Sequence, residues 1–219
     1  MKKFELTSET KINIFGKKLF RIKALVSFGV VKTGETGGWV EKEENVNQSG
    51  DAWVFGNAEV FGNARVSGDA RVFGNARVFG NAEVSDNAWV SGDAEVCGNA
   101  LVSGDAEVSD NAWVSGDAEV FGNARVSGDA RVSGNAEVSG NAEVSGNADY
   151  TTIHGFGTQF RTTTFFRCKD KQVKVSCGCF YGTIPEFREQ VKNTRDGKIA
   201  EEYLMIADLM EKHFAEEAK

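Results

Sequence analysis

Residues 51–68 read DAWVFGNAEVFGNARVSG, which is three copies of the unit (Asn/Asp)-Ala-x-Val-(Ser/Phe)-Gly. The unit recurs in unbroken period to Asp149, with Asn or Asp in its first place seventeen times and Val in its fourth place sixteen times. No helix has a six-residue period, whereas a prism of short strands and tight corners can have one. The repeat therefore predicts a solenoid.

Within each unit, Ala and Val are two residues apart, so an extended segment turns both toward the same side. We expect this side to be the interior and the x residue between them to face water. Gly followed by Asn or Asp supplies a corner, since both residue types tolerate left-handed backbone angles. Asp86 and Asp110 replace the Gly without changing the period.

The pattern resembles the hexapeptide-repeat proteins, which form a left-handed triangular parallel β-helix with eighteen residues per coil. The resemblance implies nearly six coils for the seventeen units, and the handedness comes from it, against the usual right-handed crossover. Residues 31–41, 45–46 and 50–54 are also similar to the start of the repeat region in uncharacterised hexapeptide-repeat proteins of bacteria and their phages.

Coils of eighteen residues would place the x residues in three ladders on the surface. The first ladder begins with Trp53, Arg71 and Trp89, which we take as a candidate stacked surface ladder. Opposite charges and an Arg on a Trp each stabilise neighbouring strands by roughly 0.2–1 kcal/mol. These residues are therefore explained as structural ladders, with a binding face as the alternative.

The whole chain is predicted to be mainly β, in three parts. Residues 1–37 form an N-terminal β cap, residues 38–150 the β-helix, and residues 151–219 a small α+β domain. This last domain would cover the open end of the solenoid, where the final coil exposes unpaired backbone and apolar side chains.

The predicted α+β domain consists of a hairpin and two helices. Residues 162–168 and 173–180 are expected to be strands around a turn at 169–172. Thr183 with Glu186 three residues later forms a capping box before a short helix, and a longer helix is expected from about 198 to 214.

Charge and hydropathy exclude several classes of partner. The formal charge is −7, and residues 51–149 contain 16 Asp/Glu against 5 Arg, so we expect no nucleic acid partner. No apolar run approaches the roughly 20 residues of a bilayer span, and no apolar segment follows the N-terminal lysines as in a secretory signal. We therefore expect no membrane partner and a cytoplasmic location, which argues against disulfides.

The resemblance directs attention to histidine, because hexapeptide-repeat acyltransferases typically use a histidine base and related carbonic anhydrases bind zinc with three. This chain contains His154 and His213. Two histidines are too few for the three-histidine zinc site. His154, just past the final coil, is the remaining candidate catalytic base, and an exposed structural residue is the alternative.

Two of the four cysteines, Cys177 and Cys179, are separated by one glycine and resemble half of a metal-ligand set. Val173, Val175, Cys177 and Cys179 also alternate onto one face of the predicted strand, with Cys168 expected opposite Val173. Buried reduced thiols behave as small hydrophobes. Core packing, a metal site and redox chemistry stay open, and no cofactor is predicted.

Phe replaces Ser after Val at five places, and four of these form two pairs eighteen residues apart: Phe55 with Phe73, and Phe61 with Phe79. Four rings should therefore cluster on two neighbouring flanks of the early coils. Exposed apolar patches of this kind mark interfaces. We predict an interface here, and covering by residues 1–50 is the alternative.

Three functions follow from these observations. The leading hypothesis is a non-enzymatic scaffold that self-associates, as a trimer, and binds a protein partner. The second is an acyltransferase-like enzyme with His154 as base, motivated by fold analogy. The third is a small phage-borne inhibitor that captures a host protein or a nucleotide signal, motivated by the resemblance of residues 31–54.

Overall fold

The computed structural model describes residues 2–215 and shows a parallel β-solenoid of about six turns, preceded by an antiparallel hairpin and followed by an α+β domain. The predicted fold class, mainly β with a repeat β-helix and a C-terminal α+β cap, is confirmed. None of the helices in the described part of the chain is long and apolar enough to cross a membrane.

Each coil of the solenoid contributes one two-residue strand to each of three faces. Face 1 begins with β3 (Thr36–Val40) beside β5 (Glu59–Val60), and from there each face takes every third strand. The solenoid strands are β4 Trp53–Val54, β5 Glu59–Val60, β6 Arg65–Val66, β7 Arg71–Val72, β8 Arg77–Val78, β9 Glu83–Val84, β10 Trp89–Val90, β11 Glu95–Val96, β12 Leu101–Val102, β13 Glu107–Val108, β14 Trp113–Val114, β15 Glu119–Val120, β16 Arg125–Val126, β17 Arg131–Val132, β18 Glu137–Val138 and β19 Glu143–Val144.

Face 1 holds β3, β5, β8, β11, β14 and β17; face 2 holds β6, β9, β12, β15 and β18; face 3 holds β4, β7, β10, β13, β16 and β19. From β4 onward, neighbours on a face are parallel and eighteen residues apart, as in the pairing of Trp89 with Arg71 and with Glu107. The first pair on face 1, β3 with β5, is also parallel but twenty residues apart, with Trp39 opposite Glu59. The eighteen-residue coil expected from the sequence is thus the coil of the structure.

The interior of the solenoid is built from two small residue types. Every Ala in the second place from Ala52 to Ala142, and every Val in the fourth place from Val54 to Val144, is at most 1% exposed. Burial of one Val side chain stabilises the fold by roughly 1.5–3 kcal/mol, so the stability is spread along the whole stack.

The corners depend on left-handed backbone. The repeat glycines from Gly56 to Gly140 have φ between +58° and +76°, and Asp86 and Asp110 adopt +57° and +59° in the same role. The Asn side chains at the corners join successive coils: Asn81 donates to Asn99 at 2.9 Å, and Asn99 donates to Asp117 at 2.8 Å. The first residue of the unit is therefore both a turn former and a link between coils.

The N-terminal end is closed by β1 (Phe4–Ile12) and β2 (Lys18–Ala24), which extend face 1 with antiparallel pairing through β3. Phe4 and Phe28 lie edge-on to Trp53, with ring centroids 5.7 and 5.3 Å away. Trp53 is consequently 0% exposed. The expectation that this x residue faces water is wrong, because the N-terminal segment covers it.

Lys3 belongs to the same closure. Its ammonium group donates to the carbonyl oxygens of Gly50 at 3.1 Å and Ala52 at 2.9 Å. Burial lowers the pKa of Lys3 to about 8. A short 3-10 turn at Glu43–Asn45 then carries the chain to Val46, which bridges in parallel to Val66 on the next coil.

The C-terminal end is closed by an antiparallel sheet in the order β20 (Tyr150–Phe156), β21 (Arg161–Arg167), β22 (Val173–Cys177) and β23 (Phe180–Thr183). The sheet has two strands more than the hairpin predicted from the sequence. Its register also differs from the expectation, since Arg167 pairs with Val173 and Cys168 bridges to Ala142 of the last coils.

Several contacts join this sheet to the solenoid. Phe166 is 0% exposed and belongs to the same buried cluster as the solenoid interior. Glu137 of β18 donates its backbone N–H to Thr164 Oγ1 at 3.0 Å and accepts from Ser176 Oγ at 2.6 Å. The Tyr181 hydroxyl approaches Gly140 at the place that a Cβ would need, and the φ of Gly140 is +64°, so this corner favours glycine.

Two helices pack on the other side of the sheet. The helix α1 (Ile184–Thr194) begins with the predicted capping box of Thr183 and Glu186, and α2 (Gly197–His213) follows. Their buried core is separate from the solenoid and contains Phe165, Phe187 and Tyr203 among others.

Candidate functional site

The four phenylalanines of the predicted interface lie along two different corners of the solenoid. Phe61 and Phe79 follow face 1 and are stacked in parallel, with ring centroids 5.0 Å apart. Phe55 and Phe73 follow face 3; Phe55 packs against the solenoid core and Phe73 meets Trp89 edge-on at 6.0 Å. The four rings therefore form two aromatic lines, one along each of two corners.

The N-terminal hairpin covers one of these lines. Phe15, in the turn between β1 and β2, lies 5.4 Å from Phe61 and 5.1 Å from Phe79 between ring centroids. Phe61 also contacts Leu19 and is only 4% exposed. Covering within the chain, the alternative to an interface, thus accounts for Phe61, whereas Phe55, Phe73 and Phe79 stay half-buried.

The hairpin turn itself exposes apolar side chains that the sequence analysis did not select. Ile12 is 66% exposed, Ile14 77% and Phe15 48%. We call these three residues the hairpin tip. Their signal in the sequence was three large apolar residues within four positions directly before Gly16.

The candidate ladder on face 3 has the register predicted from the sequence, but its first residue, Trp53, is buried. Trp53 pairs with Arg71 and Arg71 with Trp89. The Arg71 guanidinium lies 5.6 Å from the centroid of Trp89, which is 42% exposed. The surface part of this ladder is therefore Arg71 with Trp89, joined by Phe73 at the corner.

A second exposed tryptophan offers a comparison on face 1. Trp113 is 40% exposed, and the Arg131 guanidinium lies 5.7 Å from its centroid. Its indole N–H points to Cys97 Sγ at 3.1 Å. Trp113 and Trp89 are similarly exposed, and each has an Arg stacked on its ring. They differ at the neighbouring corner of the solenoid, where Trp113 contacts Cys97 and Trp89 contacts Phe73.

His154, the candidate catalytic base, lies on β20 with its side chain exposed. Its Nδ1 is 3.2 Å from Thr162 Oγ1 on the adjacent strand β21. The half-buried Thr162 hydroxyl carries no charge, so it does not stabilise an imidazolium as the carboxylate of a catalytic triad does. The geometry around His154 therefore gives the acyl-transfer hypothesis no particular support.

The cysteines separate into two groups. Cys97 and Cys168 are buried, and burial raises the pKa of the Cys168 thiol to about 11. Cys177 ends β22 half-buried and accepts from Thr163 Oγ1 at 3.1 Å, while Cys179 is exposed in the following turn. The predicted alternation onto one strand face thus stops at Cys177.

The metal alternative needs more ligands than these two thiols. Over residues 2–215, no group of three or more His, Cys, Asp or Glu side chains is arranged to hold a metal ion. Cys177 and Cys179 do share another location, because both line a cleft in the C-terminal domain.

This cleft of about 450 Å³ lies between the turn that contains Cys179, the end of α1 and the side of α2. We call it the domain cleft. A smaller hollow of about 330 Å³, formed with the turn at 157–159, adjoins it through shared residues. The side chains common to both are Arg161, Cys177, Arg195 and Tyr203.

Tyr203 lies at the centre of these shared residues. Its hydroxyl donates to the carbonyl oxygen of Phe156 at 3.2 Å. Burial raises the pKa of the Tyr203 phenol, and the neighbouring Arg195 and Arg161 oppose that rise. Both guanidinium groups line the cleft together with Tyr203. The sequence carried no signal for this, because no motif links positions 161 and 195.

Comparison with known proteins bears on the repeat. Three segments of the solenoid, residues 70–86, 118–134 and 124–140, match the family model described as the YdcK β-solenoid repeat. No curated protein gives a significant match to the chain. The matched segments coincide with strands of the stacked parallel coils described above. The chain is a β-solenoid repeat protein.

Proposed function

We propose that the chain is a non-enzymatic scaffold that self-associates as a trimer. The observation that carries this proposal is the exposed hairpin tip, in which Phe15 packs on the stacked rings of Phe61 and Phe79. Adjacent exposed apolar side chains on a rigid base are typical of protein interfaces.

Charge complementarity favours a second copy of the chain as the occupant. Residues 1–50 contain nine Lys/Arg and six Asp/Glu, whereas residues 51–149 contain five and sixteen. Lys18 lies next to the hairpin tip in the sequence, whereas the neighbouring Lys11 and Lys17 pair with Glu59 and Glu41 of the same chain at 2.7 and 3.3 Å. The hairpin of one copy would therefore meet the solenoid of another with attraction between opposite charges.

Phe73 and Trp89 provide an apolar contact surface on that second solenoid. They lie along the line that follows face 3, away from the corner that the hairpin tip covers. An interface between two different surfaces is heterologous, and it closes only as a ring. We propose a ring of three, because it is the smallest ring in which any two copies share only one such contact.

Light scattering coupled to gel filtration tests the proposal on the full chain. We expect the unchanged chain to elute as a trimer, and both the double variant Ile14→Ser/Phe15→Ser and the single variant Trp89→Ser to elute as monomers. Trp113→Ser is the matched control, because Trp113 is almost as exposed as Trp89 and also stacks with an Arg. It should keep the trimer.

Circular dichroism should show an unchanged β signal for all these variants, since the replaced side chains lie outside the solenoid interior. A monomeric unchanged chain at high micromolar concentration would refute the proposal. Trimers in all variants would also refute it, by showing that another surface holds the copies together.

A further inference from the structure

We infer that the domain cleft binds a small organic anion, with Arg161 and Arg195 holding a phosphate or carboxylate group and the aromatic wall holding a planar ring. This inference does not depend on the trimer, because the cleft lies in the C-terminal domain and its lining residues are separate from the hairpin tip and from Trp89.

The first support is unbalanced positive charge. Arg161 and Arg195 line both parts of the cleft, and neither part is lined by a carboxylate. Within residues 2–215, neither guanidinium has an Asp or Glu oxygen within 4.0 Å, whereas Arg188 on α1 is paired with Asp208 and Glu211, both at 2.7 Å. Guanidinium groups bind carboxylates and phosphates through paired hydrogen bonds.

The second support is that the backbone makes room for these groups. At Gly178, whose φ is +60°, an added Cβ would lie 2.2 Å from the Arg161 guanidinium. At Gly157, whose φ is +71°, it would lie 2.5 Å from the Tyr203 hydroxyl. Both turns have left-handed backbone, which favours glycine, and the missing side chains leave the space into which Arg161 and Tyr203 extend.

The third support is the shape and chemistry of the wall. Four aromatic side chains line the cleft. Phe180 is half-buried and Tyr181 is 47% exposed, so these two present ring surface to a ligand, whereas Phe187 and Tyr203 are only 3% and 7% exposed and support them from the core. Phe180 and Phe187 lie 5.4 Å apart between centroids. Gln190 and Thr194 add polar groups at the end of α1. A cleft of several hundred Å³ that combines aromatic side chains with converging polar groups has the size and the kind of lining found in small-molecule sites.

These features select a ligand that carries one anionic group and one planar ring. A nucleoside monophosphate and an arylacetate both have this chemistry, and they differ in the anion. Adenosine monophosphate and phenylacetate are therefore used as separate probes. Inorganic phosphate supplies the anion alone, and adenosine supplies the ring alone.

Isothermal titration of the full chain with these four probes at low salt is the primary experiment. We expect adenosine monophosphate, phenylacetate or both to bind, and to bind more tightly than phosphate and adenosine. Arg161→Gln and Arg195→Gln should each weaken that binding about tenfold or more, since each removes charge-assisted hydrogen bonds. Lys192→Gln is the matched control, because Lys192 is an exposed cation near the end of α1 that lies outside the cleft.

A second readout does not depend on any variant folding correctly. Cys177 and Cys179 line the cleft, whereas Cys97 and Cys168 are buried elsewhere. A bound probe should slow alkylation of Cys179 and Cys177 by iodoacetamide in the unchanged chain, as followed by mass spectrometry.

Four results would overturn the inference. They are the absence of binding by every probe up to millimolar concentration, adenosine binding as tightly as the anions, an equal loss of binding in Lys192→Gln, and thiol labelling that a saturating probe leaves unchanged. Protection of the thiols together with a loss confined to the two arginine variants supports it.

Discussion

The solenoid and the C-terminal domain reach a buried core by opposite means. In the solenoid, the interior is Ala and Val repeated at fixed places, and each buried side chain meets its equivalent eighteen residues away. In the C-terminal domain, the interior consists of large, non-equivalent side chains such as Phe165, Phe187 and Tyr203. Removing one side chain should therefore have different consequences in the two regions.

The junction between them combines both kinds of packing. Phe166 comes from the sheet of the C-terminal domain but belongs to the buried cluster of the solenoid. In a repeat array, each unit is stabilised by its immediate neighbours only. The stability of the last unit therefore depends on the segment that covers it. The four predictions below test this difference, beginning with the junction.

Phe166→Ala should have the largest effect, a loss of about 3–5 kcal/mol in the free energy of unfolding, because it leaves a cavity at the end of the stack. Urea unfolding followed by circular dichroism measures it. Phe160→Ala is the control, since Phe160 is 64% exposed and should change little. Equal and small effects in both variants would show that Phe166 does not couple the two regions.

Gly80→Ala should cost about 2 kcal/mol or more, and Gly134→Ala about 1 kcal/mol, since a left-handed residue other than glycine costs roughly 1–2 kcal/mol. Both glycines have positive φ, +76° and +68°. A Cβ at Gly80 would also lie 3.0 Å from backbone atoms of Gly98 in the next coil, whereas at Gly134 it would meet nothing within 4 Å. Thermal unfolding of the two variants separates the cost of the contact with the next coil from the cost of backbone strain. A larger loss of stability in Gly134→Ala than in Gly80→Ala would contradict this account of the corners.

Cys168 should make the junction sensitive to alkaline pH. Its folded-state pKa of about 11 lies above the ordinary 9.0, so the unfolded chain releases this proton first. The stabilising contribution is complete below pH 9 and is lost as pH rises toward 11, by on the order of 1–2 kcal/mol. Urea unfolding at pH 8, 9.5 and 11 should show a smaller alkaline loss in Cys168→Ala than in the unchanged chain.

Cys179→Ala is the control for this pH series, because Cys179 is exposed. It should follow the unchanged chain at every pH. An alkaline loss that is the same in Cys168→Ala would assign the pH dependence to other groups.

Thr183→Ala should have the smallest effect, a loss of about 1 kcal/mol confined to the C-terminal domain. Thr183 Oγ1 accepts from the backbone N–H of Glu186, and the Glu186 carboxylate accepts from the backbone N–H of Thr183 at 2.7 Å. Hydrogen exchange should show faster opening of α1 with unchanged protection in the solenoid. Faster exchange in the solenoid strands as well would mean that the two regions unfold as one unit.

The same difference explains how far the sequence predicts the fold. The solenoid could be predicted because its contacts recur every eighteen residues. The inward-facing positions and the coil length are therefore visible in the sequence as a repeat. Trp53 was misjudged because its cover, Phe4 and Phe28, comes from outside the repeat. The outer strands β20 and β23 were missed because neither shows an alternating apolar pattern.

The candidate sites were less predictable, since they depend on which distant residues meet. The spacing of the four phenylalanines identified them in the sequence. It did not show that Phe15, in a hairpin turn outside the repeat, packs on one pair of them and leaves the other pair uncovered. Arg161 and Arg195 come from a strand and a helix end, and only the packing of that domain brings them to one cleft. Pattern alone therefore located the interface candidates and not the cleft.

The matched register of successive coils gives the molecule an adjustable length. Each coil adds one strand to every face, so a whole eighteen-residue segment can be duplicated or removed without altering the pairing at either end. Each such step would move the hairpin tip and the domain cleft apart or together by about 4.8 Å, the distance between neighbouring strands. The number of coils therefore sets the distance between the two ends of the solenoid. This distance can change in evolution while the structure of each end stays the same.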